Sequence, residues 1–215
     1  HGRGVQSAVF SPDGQMILTG GDDGTARLWD AGTGSEVRRF ERHGRGVQSA
    51  VFSPDGQLIL TGGDDGTARL WDAGTGSEVR RFEGHGDWVR SAVFSPDGQL
   101  ILTGGNDGTA RLLDAGTGSE VRRFEGHGRG VQSAVFSPDG QLILTGGDDG
   151  TARLWDAATG EKLQAMVGLP DSWAVLNPDL TVRTIGPNAW KYVYSVEKDE
   201  TGRDRVVVPE FMRAE

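Results

Sequence analysis

The chain has 215 residues, and its 35 Gly and 8 Pro are spread too evenly for long helices, which excludes coiled coils and helical solenoids. Cysteine is absent, so disulfides, iron–sulfur clusters, thiol nucleophiles and thiolate zinc sites are excluded as well. With 22 basic against 31 acidic residues the net charge is -9, and no segment forms the basic stripe that nucleic acid would require.

The four histidines stand at His1, His43, His85 and His127, 42 residues apart each time, and a period between 20 and 50 signals a stacked or radial array. The repeats are 1–42, 43–84, 85–126 and 127–168, with 169–215 outside the pattern. In the second repeat, Val47 to Phe52 is β-branched and aromatic and ends at the turn Ser53-Pro54-Asp55-Gly56. Leu58 to Thr61 is continuously apolar, as expected of a strand covered on both faces, and Gly62 to Gly66 marks the next turn. Thr67 to Asp72 and the charged Glu78 to Glu83 complete four strands, joined by Ala73-Gly74-Thr75-Gly76. Polarity rises from the first strand to the fourth, which orders them from an inner position to a solvated edge. Such a sheet leaves two apolar faces and must stack against copies of itself, so the predicted fold is an all-β propeller of four-stranded antiparallel blades.

In the fourth repeat the outer strand departs from the pattern (Glu161 to Val167), and Leu169 stands where a fifth histidine is due. The tail still reads as four strands, Ser172 to Leu176, Leu180 to Ile185, Trp190 to Val196 and Arg205 to Val208. They are expected to form a divergent, blade-like unit over 169–215 that caps the exposed face of the fourth repeat. The chain opens at His1 without a methionine, which points to a fragment with further blades upstream. No apolar run approaches the ~18 residues of a membrane helix and no secretory leader begins the sequence, so a cytoplasmic protein with no membrane partner is expected.

His-Gly, Ser-Pro-Asp-Gly, Asp-Gly-Thr and Trp-Asp, at constant spacing over residues 1–168, resemble the WD-repeat family. The resemblance implies a hydrogen-bonded tetrad in each blade: His1, Thr19, Asp23 and Trp29; His43, Thr61, Asp65 and Trp71; and His127, Thr145, Asp149 and Trp155. In the third, Leu113 replaces the Trp beside His85, Thr103 and Asp107. A His, an Asp and a hydroxyl together also match the residue types of a hydrolytic triad. An active site, however, needs one copy in one cleft, whereas this set recurs in every repeat, so scaffolding is the expected role and no catalytic residue is predicted. The glycine clusters lack a phosphate-cradling motif, the Asp64-Asp65 pair lacks calcium-loop spacing, and each His already has a structural partner, so neither cofactor nor metal is expected.

The loop entering the first strand and the turn between strands two and three open on one face, which in the WD-repeat family is the usual partner platform. Arg3, Arg45 and Arg129 are expected there near Asp22, Asp64 and Asp148 as a ring of alternating charge. The third repeat differs from the second only at Asp87, Trp88, Arg90, Asn106 and Leu113, and the first four belong to these loops. An aromatic residue with an adjoining Arg has the composition of an interface anchor. Two alternatives stand beside that reading: Asp-Trp-Val-Arg is common after His-Gly in the resembled family, and Trp88 could fill space left by the indole missing at Leu113. The leading expectation is a non-catalytic platform for a protein or peptide, the sensor or scaffold propeller of a larger bacterial protein with an upstream effector domain, since the tail also resembles modules that follow WD-repeat arrays in such proteins. The alternatives are a designed or recently amplified array that self-associates, with no selected ligand, and, last, a propeller enzyme.

Overall fold

In the computed structural model, described for residues 1–169, 172–178, 182–186, 195–198 and 204–207, every regular element is a strand. The first blade comprises β1 to β4 (Val5–Phe10, Met16–Gly21, Thr25–Asp30, Glu36–Glu41) and the second β5 to β8 (Val47–Phe52, Leu58–Gly63, Ala68–Asp72, Glu78–Phe82). The third has β9 to β12 (Val89–Phe94, Leu100–Gly105, Ala110–Asp114, Glu120–Phe124), and the fourth β13 to β16 (Val131–Phe136, Leu142–Gly147, Thr151–Asp156, Lys162–Leu169). In each, the strands pair antiparallel in chain order. The first hairpin closes as expected at Ser53-Pro54-Asp55-Gly56, where the Gly56 amide donates to the Ser53 carbonyl at 2.9 Å.

Successive blades meet through their inner strands, β1 on β5, β5 on β9 and β9 on β13. The core lies between blades. Leu18, Ala26, Leu28 and Phe40 of the first blade pack on Val47, Ala50, Ile59 and Trp71 of the second, and the other two junctions repeat the cluster. Each buried Val, Leu or Ile contributes about 1.5–3 kcal/mol, so the junctions dominate the stability of the array. A polar stitch crosses each junction as well: the Ser7 hydroxyl donates to the Ala50 carbonyl at 3.1 Å and accepts from the Ala50 amide at 3.2 Å.

The second strand runs past its predicted end. Gly62 and Gly63 are strand residues, not turn, because a Cβ on Gly62 would lie 2.8 Å from the Val89 side chain and one on Gly63 would run into the His43 ring. Missing side chains make room here for the next blade and for the imidazole.

In the tail the described strands fall into two groups, and most of the expected strand Trp190 to Val196 lies outside the described residues. β17 (Ser172–Leu176) pairs on β16, and β18 (Val182–Ile185) pairs on β17, so the fourth sheet has six strands. β19 (Ser195–Lys198) and β20 (Asp204–Val207) pair as a separate hairpin. Sequence explains the docking: β4, β8 and β12 carry two arginines each, which guard an edge, whereas β16 carries Ala165, Met166 and Val167 and accepts another strand. β17 and β18 extend the sheet in its plane, and Leu144 on the broad face of the fourth blade is exposed.

Candidate partner-binding face

The loop face is built on the tetrads. In the second blade Trp71 Nε1 donates to Thr61 Oγ1 at 2.9 Å, Thr61 Oγ1 lies 2.7 Å from His43 Nε2, and His43 Nδ1 lies 3.0 Å from Asp65 Oδ1. The arrangement that satisfies every atom runs in one direction, indole to hydroxyl to imidazole to carboxylate, with the proton on Nδ1. Blades one and four repeat it through His1, Thr19, Asp23 and Trp29 and through His127, Thr145, Asp149 and Trp155. In the third blade His85 reaches Asp107 at 3.0 Å and Thr103 at 2.8 Å, and Leu113 supplies no donor. Both nitrogens of each imidazole are engaged within its own blade's network. Among the described residues no group of three His, Asp or Glu side chains could hold an ion.

Two further members of the network escaped the sequence reading. Thr67 donates to Asp65 Oδ1 at 2.7 Å, and the buried Arg69 bridges Asp65 Oδ2 at 3.2 Å to Glu78 Oε2 at 2.9 Å on the outer strand. The signal was an Arg repeated inside each apolar third strand, at Arg27, Arg69, Arg111 and Arg153. In the fourth blade Lys162 stands where the others carry Glu, so burial and then the Arg153 charge push its ammonium pKa down.

Burial tends to raise the Asp65 carboxyl, but hydrogen bonds and charge from His43 and bonds from Thr67 outweigh it and hold the pKa well below the ordinary 3.8. Asp107 and Asp149 are lowered by the same competition. Burial pushes the imidazoles of His85 and His127 below 6.5 despite their Asp partners. Below pH 6.5 the unfolded chain therefore takes up protons that folded His85 and His127 resist, and below 3.8 the carboxylates act in the same sense. The melting temperature is expected to change little around neutral pH, to fall in a first step below pH 6.5 and to fall further below 3.8. A rise on acidification through pH 6.5 would contradict this.

The tetrads hold two loop sets together on one face. The Asp64 amide donates to the Gly46 carbonyl at 2.9 Å, and the Asp22 and Asp148 amides do the same toward Gly4 and Gly130. The arginines and aspartates of the expected charge ring are not joined as ion pairs. Gln6 Nε2 donates to both oxygens of Asp22 at 2.9 Å and Gln132 Nε2 to Asp148 at 2.7 Å, while exposed Arg3, Arg45 and Arg129 make no ion pair with Asp22, Asp64 or Asp148. Gln occupies the first strand next to the carboxylate, whereas an exposed arginine would lose side-chain entropy for a screened contact. Asp64 is the most enclosed of the three: burial and then the Asp22 charge raise its pKa, against a Gln48 hydrogen bond and the Arg90 and Arg45 charges.

In the third blade the four differences join into one cluster, although only Asp87, Trp88 and Asn106 lie in loops and Arg90, expected there too, is the second residue of β9. Asn106 Nδ2 donates to Asp87 Oδ2 at 2.7 Å, the Trp88 amide donates to Asp87 Oδ1 at 2.8 Å, and the Asn106 amide donates to the Trp88 carbonyl at 2.8 Å. The Arg90 guanidinium lies 4.5 Å from the centre of the Trp88 ring and donates to Gln48 across the junction at 3.4 Å. Trp88 is half-buried and takes no part in the core cluster that contains Leu113, so it does not fill the missing indole's place.

A family model described as the IFT122 first beta-propeller matches residues 4–175 of this chain. The chain belongs to the WD-repeat β-propeller family. WD repeat-containing protein 38 of Homo sapiens is 49% identical over 39 residues, which are 18% of this chain and 12% of that relative. The shared stretch is thus slightly shorter than one 42-residue repeat, and the chain spans only a small part of that relative's length. A WD-repeat propeller is a protein-interaction platform, and here its loop face carries one blade unlike the rest.

Proposed function

We propose that the chain is a non-catalytic, preorganised platform for a protein or peptide, engaged at Asp87, Trp88, Arg90 and Asn106, and that it serves as the sensing or scaffolding propeller of a larger cytoplasmic bacterial protein with an effector domain upstream. The observation that carries this reading is the connected cluster: four of five differences between neighbouring repeats fall together on the loop face and hydrogen-bond or stack with one another. Trp and Arg are the side chains most often found at energetic centres of interfaces, and a cluster already held in place loses little entropy on binding. Arg90 held over an indole presents donors flanked by an apolar ring, which suits a segment with an acidic residue beside an apolar one. Asp87 and Asn106 fix the loop beneath.

The test is selection of a displayed random-peptide library on the wild-type chain, followed by affinity measurements on the selected peptides. Trp88→Ala and Arg90→Ala are each expected to weaken binding by roughly tenfold or more, as for interface anchors. Arg3→Ala and Arg129→Ala should change it little. Unchanged affinity in Trp88→Ala, or a lowered melting temperature with binding intact, would overturn the reading.

A further inference from the structure

The cluster around Trp88 does not end at the third blade. Arg90 is the extra residue of a bulge in β9, since Val89 pairs with Gly105 and Ser91 with Gly104, and Gln48 is the extra residue of the same bulge in β5. A bulge re-aims the side chain it carries, and β5 lies against β9, so the two side chains meet across the junction. Arg90 Nη1 donates to Gln48 Oε1 at 3.4 Å, while the Gln48 side chain also hydrogen-bonds the Asp64 carboxylate of its own blade. Gln6 and Gln132 hold Asp22 and Asp148 in the same way but have no arginine at their oxygen among the described residues. Gln48 therefore links the acid of one blade to the guanidinium of the next.

That guanidinium is the least satisfied of its kind. Six arginines bury an Nε that has no acceptor. Arg38, Arg80 and Arg122 offset this by placing both Nη nitrogens on turn carbonyls of the next blade at 2.5 to 2.9 Å, and Arg69 and Arg111 are each held between an Asp and a Glu. Arg90 has one 3.4 Å bond to a neutral amide and no ion pair among the described residues, so most of its five N–H donors are unspent. Its acidic neighbours do not neutralise it. Asp87 is engaged by Asn106 and the Trp88 amide, and Asp64 has its Oδ2 beside Gly46, together with Asp22 Oδ1: a Cβ on Gly46 would lie 2.8 and 3.3 Å from them. Asp64 Oδ1 is buried without a partner, so its negative charge is incompletely compensated.

We propose that the partner site spans the junction of the second and third blades: the unspent donors of Arg90 take one carboxylate of the partner, Gln48 is the positioning residue that holds Arg90 for it, and Asp64 makes the site prefer a carboxylate to a phosphate. A guanidinium fork matches either anion. A phosphate, however, carries about -1.5 to -2 at neutral pH, and Asp64 and Asp22 repel each added negative charge with a single free guanidinium to offset it. The inference rests on the partner reading above and adds the second blade to it.

The test uses the peptides selected on the wild-type chain, each with its acidic residue kept, replaced by Ala or replaced by phosphoserine. The acidic residue is expected to recur among them and to bind better than phosphoserine. Gln48→Ala should weaken binding roughly three- to tenfold, the scale of one hydrogen bond, and should cost nothing further in an Arg90→Ala chain. Gln6→Ala and Gln132→Ala remove the same bond to an aspartate elsewhere, so they should match Gln48→Ala in melting temperature and wild type in affinity. Asp64→Asn, a change the third blade already carries as Asn106, should narrow the preference for carboxylate by roughly threefold or more, the scale of a partly screened charge contact. If Trp88→Ala and Arg90→Ala leave binding intact, the partner reading fails and this inference with it. If they weaken binding while Gln48→Ala behaves like its two controls, or costs as much without Arg90, or while Asp64→Asn leaves the preference unchanged, the inference alone is overturned.

Discussion

Replacing Thr61 with Val is expected to lower the free energy of unfolding by about 2–5 kcal/mol, measured by urea denaturation. Thr61 is fully buried, and its hydroxyl sits between two partners, Trp71 Nε1 at 2.9 Å and His43 Nε2 at 2.7 Å. Val keeps the shape but strands an indole donor and an imidazole acceptor away from water, and each unsatisfied buried group costs about 1–3 kcal/mol. Removing the hydroxyl itself from an apolar site offsets little of that. Thr61→Ser, which retains the oxygen, should cost about 1 kcal/mol, the loss of one buried methyl. The third blade supplies an internal control, because Thr103 contacts His85 but has no indole above it. Thr103→Val should therefore cost about half as much as Thr61→Val. Equal costs at the two sites would mean that the indole bond contributes nothing.

That control exists because the repeats are so nearly identical, and the same property made most of the fold legible in the sequence. Turn residues recur at fixed intervals, and the segment Val47 to Phe52 proved to be a strand with those bounds. What the sequence hid follows a physical rule. Gly62 and Gly63 looked like turn glycines because their reason for lacking side chains, the approach of Val89 and His43, comes from elsewhere in the chain. The tail's first strand was legible as Ser172 to Leu176, yet its partner was not, because edge pairing depends on what the neighbouring edge exposes. On the loop face the residue positions could be read but not their pairings: Gln6 and Gln132 take the carboxylates expected to face arginine. Arg69 was passed over because a buried, doubly paired arginine looks from sequence like an ordinary polar position in an alternating strand.

Trp155→Leu is expected to destabilise the chain by about 2–4 kcal/mol, while the reverse change in the neighbouring blade, Leu113→Trp, should stabilise it by about 1 kcal/mol. Trp155 is buried, packs on Phe124 with ring centres 5.5 Å apart at 60°, and donates to Thr145 at 2.9 Å. Leu loses the aromatic pair, worth about 0.5–1.5 kcal/mol, and leaves the Thr145 hydroxyl short of a donor at a further cost of about 1–3 kcal/mol. At Leu113 both gains are available to an indole: Phe82 of the preceding blade lies in the same cluster, and Thr103 stands where Thr145 does. The gain is set below the loss at Trp155 because the cluster around Leu113 has closed onto a smaller side chain and must open to admit a larger one. Trp29→Leu completes the comparison. With no preceding blade against it, Trp29 keeps only its bond to Thr19 at 2.9 Å, so its loss should cost about 1–2 kcal/mol in the single chain. Urea denaturation of Trp29→Leu and Trp155→Leu thus separates the hydrogen-bonded part of the tryptophan contribution from the part that needs a neighbouring blade.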